Sequence, residues 1–166
     1  MATSDFITIP LTKGYSATVD SIDADLLSSN WRVLLSACTY ARAHFDYDPK
    51  TQKTKNKLMH RLILERVLNR PLVTGEFVDH INGDGLDNRR SNLRLATKAD
   101  NCRNAKLRKD NKAGLKGVSL DNGRWRARIR VNTKEIYLGS YSTKEAAHEA
   151  YKVAAKLYFG EFARVE

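Results

Sequence analysis

Residues 78–104, VDHINGDGLDNRRSNLRLATKADNCRN, form the stretch that decides the fold of this chain of 166 residues. Asp79 and His80 are adjacent, Asn92 follows twelve residues after His80, and Asn101 follows nine residues later. Gly, Asp and Asn dominate the part before Asn92, which predicts a long turn. Apolar and basic residues alternate after it, which predicts a strand. The predicted order is therefore strand, loop, strand and helix, over residues 77–81, 82–90, 92–97 and 98–105.

Asp79 and His80 are suited to phosphodiester hydrolysis, which needs an activated water and a cation to neutralise the developing charge. The Asp79 carboxylate is a hard oxygen ligand of the kind that Mg²⁺ or Mn²⁺ prefers, and a histidine is a common general base. Adjacent side chains on a strand point to opposite faces, so both reach one site only if the strand bends or ends there. Asn101 is a candidate second ligand, and Asn92 is a candidate for holding the loop and orienting the His80 ring. An ordinary turn or a calcium-type loop is the alternative interpretation of the same residues.

The spacing of these four residues resembles the HNH endonuclease motif, in the variant whose last histidine is asparagine. Residues 79–97 are similar to phage and intron-encoded HNH homing endonucleases, and the resemblance covers about residues 55–105. It implies a ββα-metal fold with Asp79 and Asn101 as metal ligands, His80 as the general base and Asn92 fixing the loop. It also implies one Mg²⁺ or Mn²⁺ per site and products with 5′-phosphate and 3′-hydroxyl ends.

Four arginines alternate along a second predicted strand, residues 125–131 with Arg124 before it, so they face one side of a sheet. They are Arg124, Arg126, Arg128 and Arg130. Such a row suits contacts with phosphates and guanine edges, and a solvated polar face is the alternative. Strands are also predicted over residues 115–120 and 135–141. A helix over residues 144–159 follows, with Thr143 as its N-cap and a buried stripe at Ala146, Ala147, Ala150, Tyr151, Ala154, Ala155 and Tyr158.

Residues 113–164 resemble the plant ethylene-response (APETALA-type) DNA-binding domain. The resemblance rests on Gly123-Arg124-Trp125, Leu138-Gly139, Ala150-Tyr151 and Gly160-Glu161-Phe162-Ala163. It implies a three-stranded antiparallel sheet packed on one helix, with the sheet entering the major groove. Trp125 falls on the face opposite to the arginines and is interpreted as packing on the helix. Besides the arginine row, the expected DNA contacts are Lys116, Tyr137, Arg89, Arg90 and Arg103.

The chain before this motif predicts mostly β structure. Strands are predicted over residues 6–11 and 15–19 and in a hairpin of residues 31–36 and 39–45, with Trp31 as a core residue. A helical turn with Leu26 and Leu27 facing inward is predicted within residues 21–30, and a loop over residues 46–57. Helical spacing predicts a helix over residues 57–69. His60 at its start is interpreted as a histidine at a helix–sheet contact, with the active site or a phosphate as the alternative.

The net charge of +10 and the isoelectric point of about 9.7 favour a polyanionic partner, nucleic acid before an anionic membrane surface. Residues 98–166 hold 16 Lys and Arg against 8 Asp and Glu, a net charge of +8, whereas residues 1–97 carry only +2. Cys38 and Cys102 have no metal-ligand spacing, so no structural zinc is expected. The sequence has neither a membrane-length apolar run nor a signal-peptide pattern, so we expect a soluble protein in the cytoplasm of a phage-infected bacterium.

We therefore predict an α+β protein in four parts: a β-rich region (1–56), an HNH ββα-metal core (57–105), a basic linker (106–113) and an APETALA-type domain (114–166). The predicted function is metal-dependent cleavage of double-stranded DNA at preferred sites, by a monomer that nicks or a dimer that forms on DNA. Two alternatives stay open. One is a non-catalytic, sequence-specific DNA-binding regulator, and the other is a nuclease specific for branched or RNA substrates.

Overall fold

The computed structural model describes residues 5–36, 38–48, 53–108 and 110–165. It divides into two compact units, Met1–Lys98 and Ala99–Glu166. Helices and several small antiparallel sheets occur together, which confirms the predicted α+β class. Within the described ranges, no helix combines the length and the apolar character that a membrane crossing needs.

The first unit contains three small antiparallel sheets and one helix of ten residues. Its elements are β1 (Phe6–Pro10), β2 (Ser16–Asp20), β3 (Trp31–Leu35), β4 (Thr39–Asp48), β5 (Lys53–Leu58), α1 (Met59–Leu68), β6 (Phe77–His80) and β7 (Leu93–Ala96). Strands β1 and β2 pair with each other, β3, β4 and β5 form a second sheet in that order, and β6 pairs with β7. Short 3₁₀ helices lie at Thr12–Gly14, Ser21–Ser28 and Arg90–Asn92.

One apolar core holds this unit together. Helix α1 buries Met59, Ile63 and Leu64 against residues of the first two sheets, because its apolar side chains recur at helical spacing. Trp31 belongs to this core, as predicted, and its indole N–H donates to the carbonyl oxygen of Leu26 at 2.8 Å. The helix ends at Asn69, which adopts the left-handed conformation with φ of 53°.

Two local predictions for the first unit are wrong. Residues 46–48 and 53–57, predicted as loop, continue β4 and β5, which pair from Arg42↔Leu58 to Asp48↔Lys53. A hydrophobic pattern detects only strands that bury a face, and Asn56 and Lys57 are exposed. Leu27 is the second error, because it is 51% exposed while its neighbour Leu26 is buried.

Asp23 is the buried charge that joins distant parts of the first unit. Its side chain is fully buried, and its carboxylate accepts from Arg66 of α1 at 2.9 Å and from Arg90 at 2.8 and 3.0 Å. The bonds with Arg90 and Arg66 outweigh the desolvation and hold the Asp23 pKa below its usual range. Asp25 also binds Arg66, at 2.6 Å, but its side chain is 61% exposed.

The described residues of the second unit form one sheet, one long α-helix, one short α-helix and a 3₁₀ helix at Gly160–Phe162. Its elements are α2 (Lys98–Asn104, which begins at the last residue of the first unit), β8 (Val118–Asp121), β9 (Arg124–Val131), β10 (Lys134–Tyr141) and α3 (Lys144–Phe159). The sheet is antiparallel with β9 in the middle. Ala127 and Ile129 of β9 pack with Ala147, Ala154 and Ala155 of α3, because small side chains let the helix lie close to the sheet.

The limits of α3 are as predicted, but its buried stripe differs in part. The Thr143 hydroxyl accepts from the backbone N–H of Ala146 at 3.2 Å, which confirms the N-cap. Ala146 and Tyr158 are exposed, contrary to the prediction. His148 is buried in their place, with its two ring nitrogens 3.0 Å from the carbonyl oxygens of Lys116 and Val165. The two carbonyl oxygens offer acceptors to the polar ring, which a hydrophobic pattern does not detect.

Removing the buried charge should destabilise the first unit much more than removing its exposed neighbour. We expect Asp23→Ala to lower the free energy of unfolding by about 3 to 5 kcal/mol, because it leaves two arginines without their buried partner. Asp25→Ala, which also removes a carboxylate from Arg66, should cost less than about 1 kcal/mol because the pair is exposed. Urea unfolding followed by Trp31 fluorescence in a Trp125→Phe background measures both. Equal losses in the two variants would contradict this role for Asp23.

Candidate functional site

The ladder between β6 and β7 carries Asp79 and His80. Asp79 lies opposite Arg94, and His80 lies opposite Leu93, where β6 ends. Both Asp79 and His80 are buried, each with 6% exposure. Because the strand ends at His80, the strict alternation of faces ends there too, which meets the condition for both side chains to serve one site.

Asn92 closes the loop that follows His80. Its amide oxygen accepts from the backbone N–H of Asn82 at 3.0 Å, and its amide nitrogen donates to the Asn82 side chain at 3.0 Å and to the Asp87 carbonyl at 2.7 Å. The backbone N–H of Ile81 also donates to the Asn92 carbonyl, at 2.9 Å. These four hydrogen bonds confirm the predicted contact between Asn92 and the loop.

The His80 ring contacts Asn88 and not Asn92, which corrects the predicted contact. His80 Nε2 lies 3.3 Å from the amide oxygen of Asn88, which is fully buried. The Asn88 amide nitrogen donates to the Leu86 carbonyl at 3.1 Å, so the amide oxygen faces the ring. An amide oxygen only accepts hydrogen bonds, so this contact is a hydrogen bond in the tautomer that carries the proton on Nε2 and the lone pair on Nδ1, which we expect for His80. Asn88 lies in a loop rich in asparagine, where spacing alone did not distinguish it.

Arg94 forms a buried ion pair with Asp79. Both Nε and Nη2 of Arg94 donate to Oδ2 of Asp79, at 2.8 and 2.7 Å. The two residues are directly opposite each other in the ladder, where cross-strand side chains lie close together. The guanidinium takes two of the roughly four acceptor positions of a carboxylate, so a cation at Asp79 would share that carboxylate with Arg94. Sequence reasoning did not identify Arg94, because it requires the strand register.

Two further rings surround His80. The His60 ring lies perpendicular to it, with centroids 5.0 Å apart, and the Tyr40 ring lies 4.9 Å from His60 and 5.9 Å from His80. His60 is buried, and its Nδ1 has no hydrogen-bond partner within the described ranges. His60 therefore lies between helix α1 and the sheets, as predicted, and its ring lines the candidate site.

Burial sets the protonation of these rings. It lowers the pKa of His60 from 6.5 to about 3, helped by the nearby charges of His80 and Arg61. Burial also lowers the pKa of His80, although the hydrogen bond to the Asn88 amide oxygen and the charge of Asp79 act in the opposite direction. Desolvation, with the contact to Cys38, raises the pKa of Tyr40 to about 12. Both imidazoles are consequently neutral at neutral pH, as a general base must be.

The predicted ligands offer hard oxygen atoms. Asp79 supplies a carboxylate and Asn101 an amide oxygen, and such donors fit Mg²⁺ or Mn²⁺, which complete their shell with water and phosphate oxygens. Asn101 lies in α2, within the second unit, so its pairing with Asp79 at one cation stays a prediction. Among the described residues, no group of three or more His, Cys, Asp or Glu side chains is arranged for a metal ion. Cys38 and Cys102 are both free thiols.

The four arginines of β9 are all exposed on one face of the sheet, as predicted, while Ala127 and Ile129 between them are buried. Each arginine has a polar neighbour on the same face. Arg124 donates to Ser140, Arg126 pairs with Asp121, Arg128 binds Glu135 and Ser119, and Arg130 lies 3.7 Å from Glu135. Tyr137 lies opposite Arg128 and is 59% exposed. Trp125 packs on the other face, with the helix, as predicted.

The remaining predicted DNA contacts are engaged within their own units. Arg89 binds Asp87 at 2.7 and 2.8 Å, and Arg90 binds Asp23. Arg103 pairs with Asp100 at 2.6 Å and lies over the Phe159 ring, and the Lys116 ammonium donates to the carbonyl oxygens of Ala105 and Arg164. Arg90 thus has a structural role, and the DNA contacts of all four residues stay predictions.

Comparison with known proteins identifies the central segment. A family model described as HNH endonuclease matches residues 57–103, which contain Asp79, His80, Asn92 and Asn101. Protein 3.8 of Escherichia phage T7 is 36% identical over 98 residues, which cover 58% of this chain and 80% of that protein. An uncharacterized HNH endonuclease of Acanthamoeba polyphaga mimivirus is 34% identical over 105 residues, 63% of this chain and 54% of that protein.

A separate similarity joins this chain to plant transcription factors. An AP2-like ethylene-responsive transcription factor of Oryza sativa subsp. japonica is 42% identical over 66 residues. The match covers 34% of this chain and only 10% of the plant protein. It is therefore a partial similarity that concerns one segment of each protein.

The buried neutral imidazoles predict that the first unit loses stability at mildly acidic pH. A histidine in the unfolded chain titrates near 6.5, whereas burial lowers the pKa of His60 and His80 in the folded state. Below that pH the unfolded state binds more protons. Stability that is present above pH 6.5 is therefore lost as the pH falls, by up to about 1.4 kcal/mol per pH unit for each histidine.

Urea unfolding between about pH 7.5 and about pH 5 measures this loss. In His60→Leu one of the two histidines is absent, so we expect a smaller decrease in the free energy of unfolding over the same range. A decrease of the same size in the variant and the wild type would show that His60 is not kept neutral by the fold.

Proposed function

This chain belongs to the HNH endonuclease family, and on that premise we propose that it is a divalent-metal-dependent endonuclease that hydrolyses phosphodiester bonds of duplex DNA at preferred sites. The observation that carries the proposal is the buried His80 beside Asp79 at the end of β6, with its Nε2 against the amide oxygen of Asn88. A protein that only binds DNA has no physical need for a desolvated imidazole fixed in one tautomer.

His80 acts as the general base in the proposed reaction. Its Nδ1 accepts the proton of the water that attacks phosphorus, while Nε2–H stays hydrogen-bonded to Asn88. Asn92 keeps the loop closed, so that Asn88 and His80 keep their relative positions. The proton then resides on His80, whose positive charge is balanced by the Asp79 carboxylate beside it.

Asp79 and Asn101 would hold the cation, which is Mg²⁺ or Mn²⁺. A divalent cation supplies a positive charge that stabilises the phosphate in the transition state and the departing 3′ oxygen. Arg94 contributes a second, permanent positive charge next to Asp79. The products expected from such a reaction carry 5′-phosphate and 3′-hydroxyl ends.

The second unit holds the duplex in this proposal. Four exposed arginines on one face of β9 form a basic surface of the kind that contacts phosphates and guanine edges. The partial similarity to a plant transcription factor supports an APETALA-type mode of binding, in which the sheet faces the DNA. The excess of +8 charges in residues 98–166 supports the same role.

We further propose that the activity is of the homing type and acts in a phage-infected cell, which the similarity to a protein of phage T7 supports. One site cuts one strand, so a monomer nicks, and a double-strand break requires a dimer on DNA.

The similarity to a transcription factor favours a second candidate, a non-catalytic DNA-binding regulator. The two candidates differ in one outcome, because the regulator retards DNA without cutting it.

The first prediction of the proposal concerns His80. We expect His80→Ala to reduce the cleavage rate by at least about 100-fold, because the water loses its base. DNA affinity should stay within about threefold of the wild type, because binding depends on contacts elsewhere. Nicking of supercoiled plasmid with Mg²⁺, Mn²⁺ or EDTA measures the cleavage rate. Gel retardation of DNA in EDTA measures the DNA affinity.

His44→Ala is the matched control, because it removes an exposed histidine of β4. This variant should cleave DNA at the wild-type rate. Cleavage by His80→Ala at the wild-type rate would disprove the assignment of the base. If the wild type retards DNA on a gel but does not cut it with either metal, the DNA-binding regulator is the better candidate.

The second prediction concerns the arginine row. Arg126→Ala with Arg128→Ala should weaken DNA binding and reduce the slope of log K against log salt by about two, since each lost phosphate contact removes about 0.9. Arg70→Ala, which removes an exposed arginine of the first unit, is the control with an unchanged slope. If the double variant keeps the wild-type slope, β9 does not contact the phosphates.

A further inference from the structure

His60 is the buried titratable side chain that the proposed reaction does not use. It lies at the second position of α1, it is buried, and its Nδ1 finds no hydrogen-bond partner within the described ranges. A buried polar atom in that state costs about 1 to 3 kcal/mol, and an apolar side chain of similar size avoids the cost. A role that compensates for this cost is therefore expected at His60.

The contacts of His60 indicate what that role is. Its ring stands at 87° to the His80 ring, with centroids 5.0 Å apart, and at 65° to the Tyr40 ring, with centroids 4.9 Å apart. Tyr40 also contacts His80 directly, at 5.9 Å and a shallow angle of 32°. The three rings thus contact one another in every pairing, so a rotation of the His80 ring changes its contacts with both neighbours.

Tyr40 is itself closely packed on one side. It is on the central strand of its sheet, and the loop after His80 packs directly on it. A Cβ atom added at Gly85 would lie 2.7 Å from the Tyr40 ring and 2.3 Å from the Thr39 carbonyl oxygen. The loop thus leaves little space for Tyr40 to move in that direction.

Asn88 contacts one end of the His80 ring. Its hydrogen bond to Nε2 is 3.3 Å long, which is a weak restraint on the plane of the ring. In the proposed reaction Nδ1 must nevertheless point at the attacking water, and an error of about 1 Å in such a position reduces rates by about 100-fold. Tyr40 and His60 contact the ring and therefore restrain its plane further.

We propose that His60 and Tyr40 are positioning residues, which hold the His80 imidazole in the plane that directs Nδ1 at the reacting phosphate. This inference rests on the proposed function, in which His80 is the general base. Neither residue takes part in proton transfer; each acts only through the His80 ring.

Three substitutions test the proposal. His60→Leu and Tyr40→Leu remove a ring and keep an apolar side chain, and we expect each to lower kcat by about 10- to 100-fold while KM and DNA affinity stay unchanged. Tyr40→Phe keeps the ring and removes only the hydroxyl, so it should cleave within about threefold of the wild type. Thermal unfolding of each variant establishes that it is folded, and the loss of a buried nitrogen favours folding of His60→Leu.

The decisive comparison combines His60→Leu with His80→Ala. A residue that acts only through His80 has nothing left to position once that ring is absent, so the double variant should retain the residual cleavage of His80→Ala. A further loss in the double variant would mean that His60 contacts the substrate itself, which overturns the proposal. Wild-type kcat in both leucine variants would also overturn it.

These outcomes separate the inference from the proposed function. If His80→Ala cleaves like the wild type, the proposed base is wrong, whatever the leucine variants do. If His80→Ala is inactive while both leucine variants are fully active, only the positioning role is wrong.

Discussion

The hydrogen bonds between Asn82 and the side-chain amide of Asn92 are the interaction on which the candidate site depends. The Asn92 amide oxygen accepts from the backbone N–H of Asn82, its amide nitrogen donates to the Asn82 side chain, both at 3.0 Å, and the same nitrogen also donates to the Asp87 carbonyl. A loop of polar residues buried against a sheet needs such partners for its backbone groups. Once the loop is closed, β6 ends at His80, Asn88 faces the imidazole, and Gly85 packs on Tyr40. Uncharged amide side chains therefore fix the loop that surrounds the His80 ring.

Charge is used differently in the two units. The first unit pairs charges internally, as in Asp23 with Arg66 and Arg90, where removing one partner leaves an uncompensated buried charge. The second unit exposes its arginines, and their partners Asp121 and Glu135 are themselves exposed. Exposed pairs are weak, so a phosphate can replace a carboxylate at little cost. The first arrangement favours a rigid fold, and the second favours exchange with a polyanion.

Much of this structure could be predicted from the sequence, because the patterns involved are local. The strand, loop, strand and helix order around His80, the limits of α3 with its Thr143 cap, and the common face of the four arginines all follow from periodicity and capping. The strands formed by residues 46–48 and 53–57 were missed because pairing does not require an apolar pattern there. Asn88, Arg94 and the contact of His60 with His80 were missed because they depend on strand register and on packing between elements distant in sequence.

The central claim is that the fold holds His80 neutral, with its proton on Nε2 and its lone pair on Nδ1. A long-range ¹H–¹⁵N correlation spectrum of the histidine side chains measures this directly at neutral pH, and the signals absent from His80→Ala assign the residue. The account predicts one protonated nitrogen, Nε2, and one unprotonated nitrogen, Nδ1. A spectrum with the proton on Nδ1, or with both nitrogens protonated, would contradict it.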